Sequence, residues 1–181
     1  MDVAKIVNKI AEEHGTIKNV YFLACGGSLV DLYPGYYFLR AESATMDAQW
    51  IPAREFALTP PKKLGKNSLL IICSHSGKTK ECLEAAKVGM EAGAAVVTMT
   101  HAPGSACDCG EWISVVYDWA PGVKEAEKPQ GITLRILNEL MKLQEPDYKL
   151  YDKINEGFDR IDEIIAAAEK KQQNAAWLFA E

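Results

Sequence analysis

The sequence predicts an α/β domain built on a doubly wound, five-stranded parallel sheet of the flavodoxin-like type. Residues 19–25 (NVYFLAC) and 67–73 (NSLLIIC) are short apolar runs, and each is followed by a turn rich in Gly or Ser and then by a helical pattern. Strands that are apolar on both faces are typical of a parallel sheet covered by helices on both sides. In the flavodoxin-like order, the first strand lies beside the third.

The remaining elements follow from periodicity and from helix-breaking residues. Further strands are predicted over residues 45–51, 94–100 and 112–117. Helices are predicted over residues 1–14, from Ser28 to about Glu42, over 52–58, over 78–92 and from Gly131 onward. We expect Pro34 to kink or confine the second helix, and we expect a break near Pro146, because proline removes a helical hydrogen bond.

The 181 residues suit one domain with a sizeable core. We interpret residues 1–146 as this domain and residues 147–181 as a helical connection, leading to a second domain of a longer protein, because an apolar run closes the sequence at Trp177, Leu178 and Phe179. We expect another subunit or the rest of the protein to cover the apolar faces of residues 1–14 and 154–179. This predicts a homo-oligomer, a dimer or higher.

Composition excludes several classes of partner. The net charge is −5, whereas nucleic acids and anionic membranes attract concentrated positive charge. The start of the chain lacks the apolar core of a signal peptide, and no apolar run reaches the ~18 residues of a membrane span. We therefore predict a cytoplasmic protein that binds neither nucleic acid nor membrane.

The five cysteines are interpreted as free thiols. Cys25, Cys73 and Cys82 fall in apolar patterns, where cysteine behaves as a small hydrophobic residue. Cys107 and Cys109 form a Cys-x-Cys pair without the second pair that a zinc site needs. We predict no metal and no cofactor.

Residues 74–79, Ser-His-Ser-Gly-Lys-Thr, are the strongest functional signal in the sequence. They follow a buried strand and open a helix, whose first N–H groups and positive dipole end attract anions. Ser74, Ser76 and Thr79 add hydroxyl donors, and Gly77 allows the backbone to approach a ligand closely. A helix cap alone needs only one such residue, so we predict a phosphate site here.

Two nucleotide-binding motifs can be excluded. A nucleotide P-loop requires a glycine five residues before Gly77, and Ile72 stands there. The segment from Cys25 to Ser28 lacks the Gly-x-Gly-x-x-Gly spacing of a dinucleotide site, because Leu29, Val30 and Asp31 follow it.

These motifs together resemble the sugar isomerase (SIS) domain. The similarity covers about residues 18–144 and includes Cys-Gly-Gly-Ser at 25–28, Ser-x-Ser-Gly-x-Thr at 74–79, Glu-Phe at 55–56 and the turn from Thr100 to Ser105. The resemblance implies a flavodoxin-like fold and a phosphosugar held by Ser74, Ser76, Gly77 and Thr79, with Ser28 added from the first turn. Gly27 departs from the family, where relatives often carry threonine.

Within this family, the chain looks like the first half of enzymes with two SIS domains, such as fructoselysine-6-phosphate deglycases and the isomerase part of glucosamine-6-phosphate synthase. The resemblance implies a sugar phosphate as the small-molecule partner. Two alternatives remain open: a non-catalytic sensor of a sugar phosphate, and a single-domain isomerase that acts as an oligomer, because a fold does not settle function.

Isomerisation and deglycation both need a base that moves a proton between C1 and C2 of the sugar. Glu127 lies near the place where relatives carry a catalytic glutamate, although Lys-Glu-Ala-Glu-Lys at 124–128 also fits a solvated charge run. His75, inside the segment 74–79, is a second candidate for the base. His101 follows the fourth strand, and we interpret it as a polar loop residue.

Overall fold

The computed structural model describes residues 2–178, with side chains as far as Gln172. One sheet holds five parallel strands in the order β2-β1-β3-β4-β5. The strands are β1 (Asn19–Ala24), β2 (Asp47–Pro52), β3 (Ser68–Cys73), β4 (Ala95–Thr100) and β5 (Ile113–Val116). The predicted doubly wound sheet is confirmed, and β1 lies beside β3 as expected, with Asn19 opposite Ser68.

Seven α-helices and one 3-10 segment occur in the described part of the chain. They are α1 (Val3–His14), α2 (Gly27–Asp31), α3 (Tyr33–Glu42), α4 (Ala53–Leu58), α5 (Lys80–Glu91), the 3-10 segment Glu125–Glu127, α6 (Pro129–Gln144) and α7 (Tyr151–Leu178). The helix predicted from Ser28 to Glu42 is divided at Leu32 into α2 and α3. Pro34 occupies the first turn of α3, where a missing N–H costs no helical bond.

The core has two layers, one on each face of the sheet. Along β1, Val20 and Phe22 face the layer that contains α1, α3 and α6, whereas Tyr21 and Leu23 face the layer that contains α4 and α5. All of these side chains are fully buried. This explains why the strand reads as a continuous apolar run, since both of its faces are covered.

The apolar face of α1 is covered within this chain. Val3, Val7 and Ile10 are buried in the same cluster as Ile136 and Leu140 of α6. The expectation that another subunit or the rest of the protein covers the apolar face of α1 is therefore wrong. An amphipathic pattern indicates that one face of a helix is buried, but it does not indicate what covers that face. Here α6 covers it, because the chain returns to this side of the sheet.

Helix α7 keeps apolar surface along its described part. Ile164 is 53% exposed, and Ile161 and Ile165 are half-buried. The predicted apolar run at Trp177, Leu178 and Phe179 lies outside the residues whose side chains are described. Among the described residues, none of the helices combines the length and apolar character needed to cross a membrane.

Candidate phosphate site

Residues 74–79, here called the phosphate loop, connect β3 to α5 at the carboxyl edge of the sheet. Gly77 has a positive φ of 64°, a conformation that glycine adopts without strain, and its N–H donates to the carbonyl of Ser74 at 2.9 Å. The hydroxyl oxygens of Ser74 and Thr79 lie 2.8 Å apart in a hydrogen bond. The N–H of Lys78 donates to Oγ of Ser76 at 3.3 Å. These bonds close the loop on itself.

The unpaired backbone N–H groups lie at Ser76 in the loop and in the first turn of α5. Helix α5 begins at Lys80, and its N-cap residue Thr79 makes no side-chain capping bond. The N–H groups of Ser76, Lys80 and Glu81 have no partner within the described residues 2–178. They are therefore the backbone donors available to an anion, whereas those of Gly77 and Lys78 are already engaged.

The loop after β4 supports the phosphate loop from one side. The N–H of Cys107 donates to the carbonyl of Gly77 at 3.0 Å, and the Thr100 hydroxyl donates to the carbonyl of His75 at 3.3 Å. Ser105 is 8% exposed and packs directly on Gly77. Its hydroxyl oxygen is buried without a hydrogen-bond partner among the described residues.

Ser28 reaches the same edge of the sheet from the turn after β1. It is half-buried in the first turn of α2, and Gly26 with a φ of 59° precedes that helix. Burial raises the pKa of the Cys73 thiol to about 12, and hydrogen bonding by the hydroxyls of Tyr117 and Ser28 partly offsets this. Ser28 therefore lies beside Cys73, the residue before the phosphate loop.

A cluster of rings borders the phosphate loop, and we call His75, His101, Tyr117 and Trp119 the ring cluster. The imidazoles of His75 and His101 stack with centroids 5.0 Å apart and planes 16° apart. Nδ1 of His75 lies 3.0 Å from the hydroxyl of Tyr117, and the Trp119 ring stands edge-on to His75 at 5.5 Å. Burial raises the pKa of Tyr117, and the charges of Cys73 and Asp31 raise it further, so its hydroxyl stays protonated.

Asp31 adds a carboxyl group near the ring cluster. Gln130 at the start of α6 donates to Oδ1 of Asp31 at 2.8 Å. Burial raises the pKa of Asp31, and the nearby His75 opposes this shift. Asp31 is thus an ionisable group that the sequence motifs did not single out.

Glu127 stands apart from the phosphate loop. It lies in the 3-10 segment, which packs on α6 so tightly that a side chain at Gly131 would collide with the backbone of Ala126. Its carboxylate makes no hydrogen bond or ion pair with another described side chain. Glu127 lines a cavity of about 190 Å³ together with Tyr117 and Arg135, which brings it near the ring cluster.

The sequence reasoning did not single out Tyr117, Trp119 and Asp31, and none of these three belongs to a spaced motif. It interpreted His101 only as a polar loop residue, and it used Ser105 only as part of the turn after the fourth strand. The signal that could have identified His101, Tyr117 and Trp119 is topological. They follow β4 and β5, and open α/β sheets generally bind ligands outside the carboxyl ends of their strands. Within the described residues, no group of three or more His, Cys, Asp and Glu side chains could hold a metal ion.

Known proteins resemble the chain in sequence and in fold. No family model matches the chain. Fructosamine deglycase FrlB of Bacillus subtilis strain 168 is 32% identical over 165 residues, which cover 91% of this chain and 50% of that protein. The solved structure of a proposed phosphosugar isomerase from Salmonella typhimurium LT2 superposes with a TM-score of 0.87 at 32% identity, covering 99% of this chain and 54% of that one. The chain is an SIS-type domain.

A second curated relative of this SIS domain is glutamine–fructose-6-phosphate aminotransferase (isomerizing) of Clostridium acetobutylicum. It is 28% identical over 180 residues, covering 91% of this chain and 28% of that protein. The SIS domain spans half or less of the length of these curated relatives. The flavodoxin-like sheet predicted from the sequence is thus the sheet of an SIS domain, with the phosphate loop at its carboxyl edge.

Proposed function

We propose that this SIS domain binds the phosphate group of a sugar phosphate at the phosphate loop. In this proposal Ser76 and Thr79 contact the phosphate, Gly77 lets the backbone approach it closely, and Ser28 adds a hydroxyl from the turn after β1. The main support is that a turn anchored to a buried strand opens a helix whose first N–H groups lack partners among the described residues. Such a helix start favours a phosphate dianion.

Ser74 has a supporting part in this proposal. It is 2% exposed, and its hydroxyl is bonded to that of Thr79 at 2.8 Å. Because a hydroxyl can donate one hydrogen bond while accepting another, Ser74 can orient the Thr79 hydroxyl toward a ligand. Ser74 therefore acts on the phosphate through Thr79, or directly after a small movement of the loop.

We propose further that the domain is half of an enzyme that isomerises a sugar phosphate or removes the sugar from a fructosamine phosphate. His75 and Glu127 are the proposed catalytic residues. His75 is supported by its position in the phosphate loop, and Glu127 by the cavity that it shares with Tyr117. The relatives carry the names of enzymes of this kind. No observation on the described residues favours a sensor without catalysis.

The remaining half of the enzyme is proposed to follow residues 147–181. The extent of the similarity supports this, because the chain corresponds to only 50% of the length of fructosamine deglycase FrlB. We propose that the chain forms a homo-oligomer. Sedimentation as a monomer at high concentration would contradict this proposal. We also propose a cytoplasmic location, which the five free cysteines favour because thiols persist in reducing compartments.

Calorimetric titration with glucose 6-phosphate tests the phosphate site. We expect wild-type protein to bind glucose 6-phosphate and to ignore unphosphorylated glucose. Ser76→Ala should weaken binding about 10-fold or more, because a hydrogen bond to a charged group contributes about 1.5–3 kcal/mol. Thr59→Ala, at an exposed position after α4, is the matched control and should bind as wild type. Equal affinities for glucose and its phosphate would refute the proposal.

A further inference from the structure

His101 is the first residue after β4, and its ring is held in one orientation. Nδ1 of His101 lies 3.1 Å from the backbone carbonyl oxygen of Tyr117. A carbonyl oxygen can only accept a hydrogen bond, so Nδ1 must carry the hydrogen. A neutral imidazole carries a single N–H. The neutral ring of His101 therefore has an unprotonated Nε2 with a free lone pair.

The position of this ring next to the phosphate loop is also defined. The backbone N–H of His101 donates to the carbonyl of His75 at 3.2 Å, and its ring stacks on that of His75 at 5.0 Å. Both side chains are exposed, so solvent and ligand can reach them. Since His75 belongs to the phosphate loop, a bound phosphate would lie within the ~8 Å over which charges interact at physiological salt.

The charges around His101 allow it to gain a proton when an anion arrives. Tyr117 and Cys73 remain neutral because burial raises the pKa of both. Asp31 provides a carboxyl group near His75. The carboxylate of Asp118, the residue after Tyr117, accepts the N–H groups of Trp119 and Ala120. The imidazoles of His75 and His101 stack 5.0 Å apart, and like charges at such a distance disfavour each other.

We propose that His101 is a proton-accepting residue of the phosphosugar site. When a phosphomonoester dianion occupies the phosphate loop, Nε2 of His101 accepts a proton from solvent and becomes part of an imidazolium ion, which returns the proton when the ligand leaves. His101 is assigned this part rather than His75 because the carbonyl of Tyr117 leaves it only one neutral tautomer. The neighbour of His75 is a hydroxyl, which can donate or accept. The inference rests on the proposed phosphate binding.

The tautomer can be measured on the ligand-free chain. Long-range ¹H–¹⁵N correlation spectra distinguish a protonated Nδ1 from a protonated Nε2. We expect His101 to show the form with Nδ1 protonated at pH 8, where histidine is mostly neutral. A spectrum with Nε2 protonated would overturn the inference without affecting the proposed phosphate site.

Proton uptake tests the second half of the inference. Glucose 6-phosphate is titrated at pH 7.5, where the ester is a dianion, in two buffers that differ in ionisation enthalpy. The change in apparent binding enthalpy between buffers reports the protons taken up per ligand bound. His101→Asn is the informative variant, because its amide N–H can still donate to the carbonyl of Tyr117 whereas Nε2 is removed. His75→Asn is the matched comparison.

We expect wild-type protein to take up a fraction of a proton and His101→Asn to lose more than about half of that uptake, since linkage follows the group whose charge changes. Unchanged uptake in His101→Asn, or loss only in His75→Asn, would overturn the inference while leaving phosphate binding intact. Absence of any binding by the wild-type protein would instead contradict the proposed function, and the inference with it.

Discussion

Gly77 and Ser105 pack so closely that a β-carbon on Gly77 would overlap the Ser105 hydroxyl and lie 2.5 Å from the Ser105 Cβ atom. The contact joins the phosphate loop to the loop after β4. Two reasons favour glycine at this position. A side chain would collide with Ser105, and Gly77 has a positive φ of 64°. The shape of the phosphate loop therefore depends on a residue 28 positions away in the sequence.

Gly77→Ala should destabilise the protein by about 2–5 kcal/mol, because left-handed backbone strain of ~1–2 kcal/mol adds to overpacking of ~1–3 kcal/mol. Gly104→Ala is the matched control, with a φ of 69° and no atom within 4 Å of the added β-carbon. The loss of stability in Gly104→Ala should reflect the backbone strain alone. Urea denaturation of both variants measures the difference, and equal losses would contradict the crowding at Gly77.

Ser105→Ala should leave the free energy of unfolding unchanged or raise it by up to about 1 kcal/mol, because the lost hydroxyl is buried without a partner in the described structure. Ser68→Ala is the comparison: Ser68 is also buried, but its hydroxyl accepts the N–H of Gly65 at 3.1 Å. That variant should lose about 1–3 kcal/mol. Thermal or urea denaturation of both variants decides the point, and a large loss in Ser105→Ala would indicate a hidden partner.

Thr79→Val should weaken binding of glucose 6-phosphate about 10–150-fold, because it removes a hydroxyl proposed to donate to the phosphate while keeping the shape of the side chain. Thr79→Ser retains the hydroxyl and should stay within a few-fold of wild type. Calorimetry measures both affinities. Equal weakening in the two variants would point to packing rather than to hydrogen bonding.

Glu145 should make the stability of the domain depend on pH in acid. Its carboxylate accepts hydrogen bonds from the hydroxyls of Ser43 and Thr45 and from the N–H groups of Ala44 and Thr45. Burial tends to raise the pKa of Glu145, but these bonds outweigh it and lower the pKa below its ordinary value of 4.5. A lowered pKa means that the native state favours the carboxylate more than the unfolded state does.

The stabilisation of the folded state by the Glu145 carboxylate is complete above about pH 5 and is lost as pH falls through the lowered pKa. Glu145→Gln removes the charge, so the free energy of unfolding of this variant should be lower than that of wild type at pH 7. The difference between the two free energies should become smaller toward pH 3. Glu12→Gln, at an exposed position on α1, provides a control of equal chemistry. Urea denaturation at pH 7, 5 and 3 tests this, and a constant gap would contradict it.

The sequence alone determined the architecture and pointed to the main part of the candidate site. Residues 19–25 and 67–73 could be identified as adjacent buried strands, because helices cover both faces of a parallel sheet and leave continuous apolar runs. The phosphate loop could also be identified, because strand, turn, hydroxyl residues and helix are contiguous. Features of this kind depend on neighbours in the chain, which the sequence displays directly.

The tertiary structure decided which distant residues meet. The stacking of His75 on His101, the packing of Ser105 on Gly77 and the cover of α1 by α6 join residues far apart in the chain. Glu127 similarly lines the cavity beside Tyr117 without belonging to the phosphate loop. Such contacts depend on the paths of loops and on how helices pack on the sheet. Neither leaves a periodic pattern, so no spacing in the sequence could predict them.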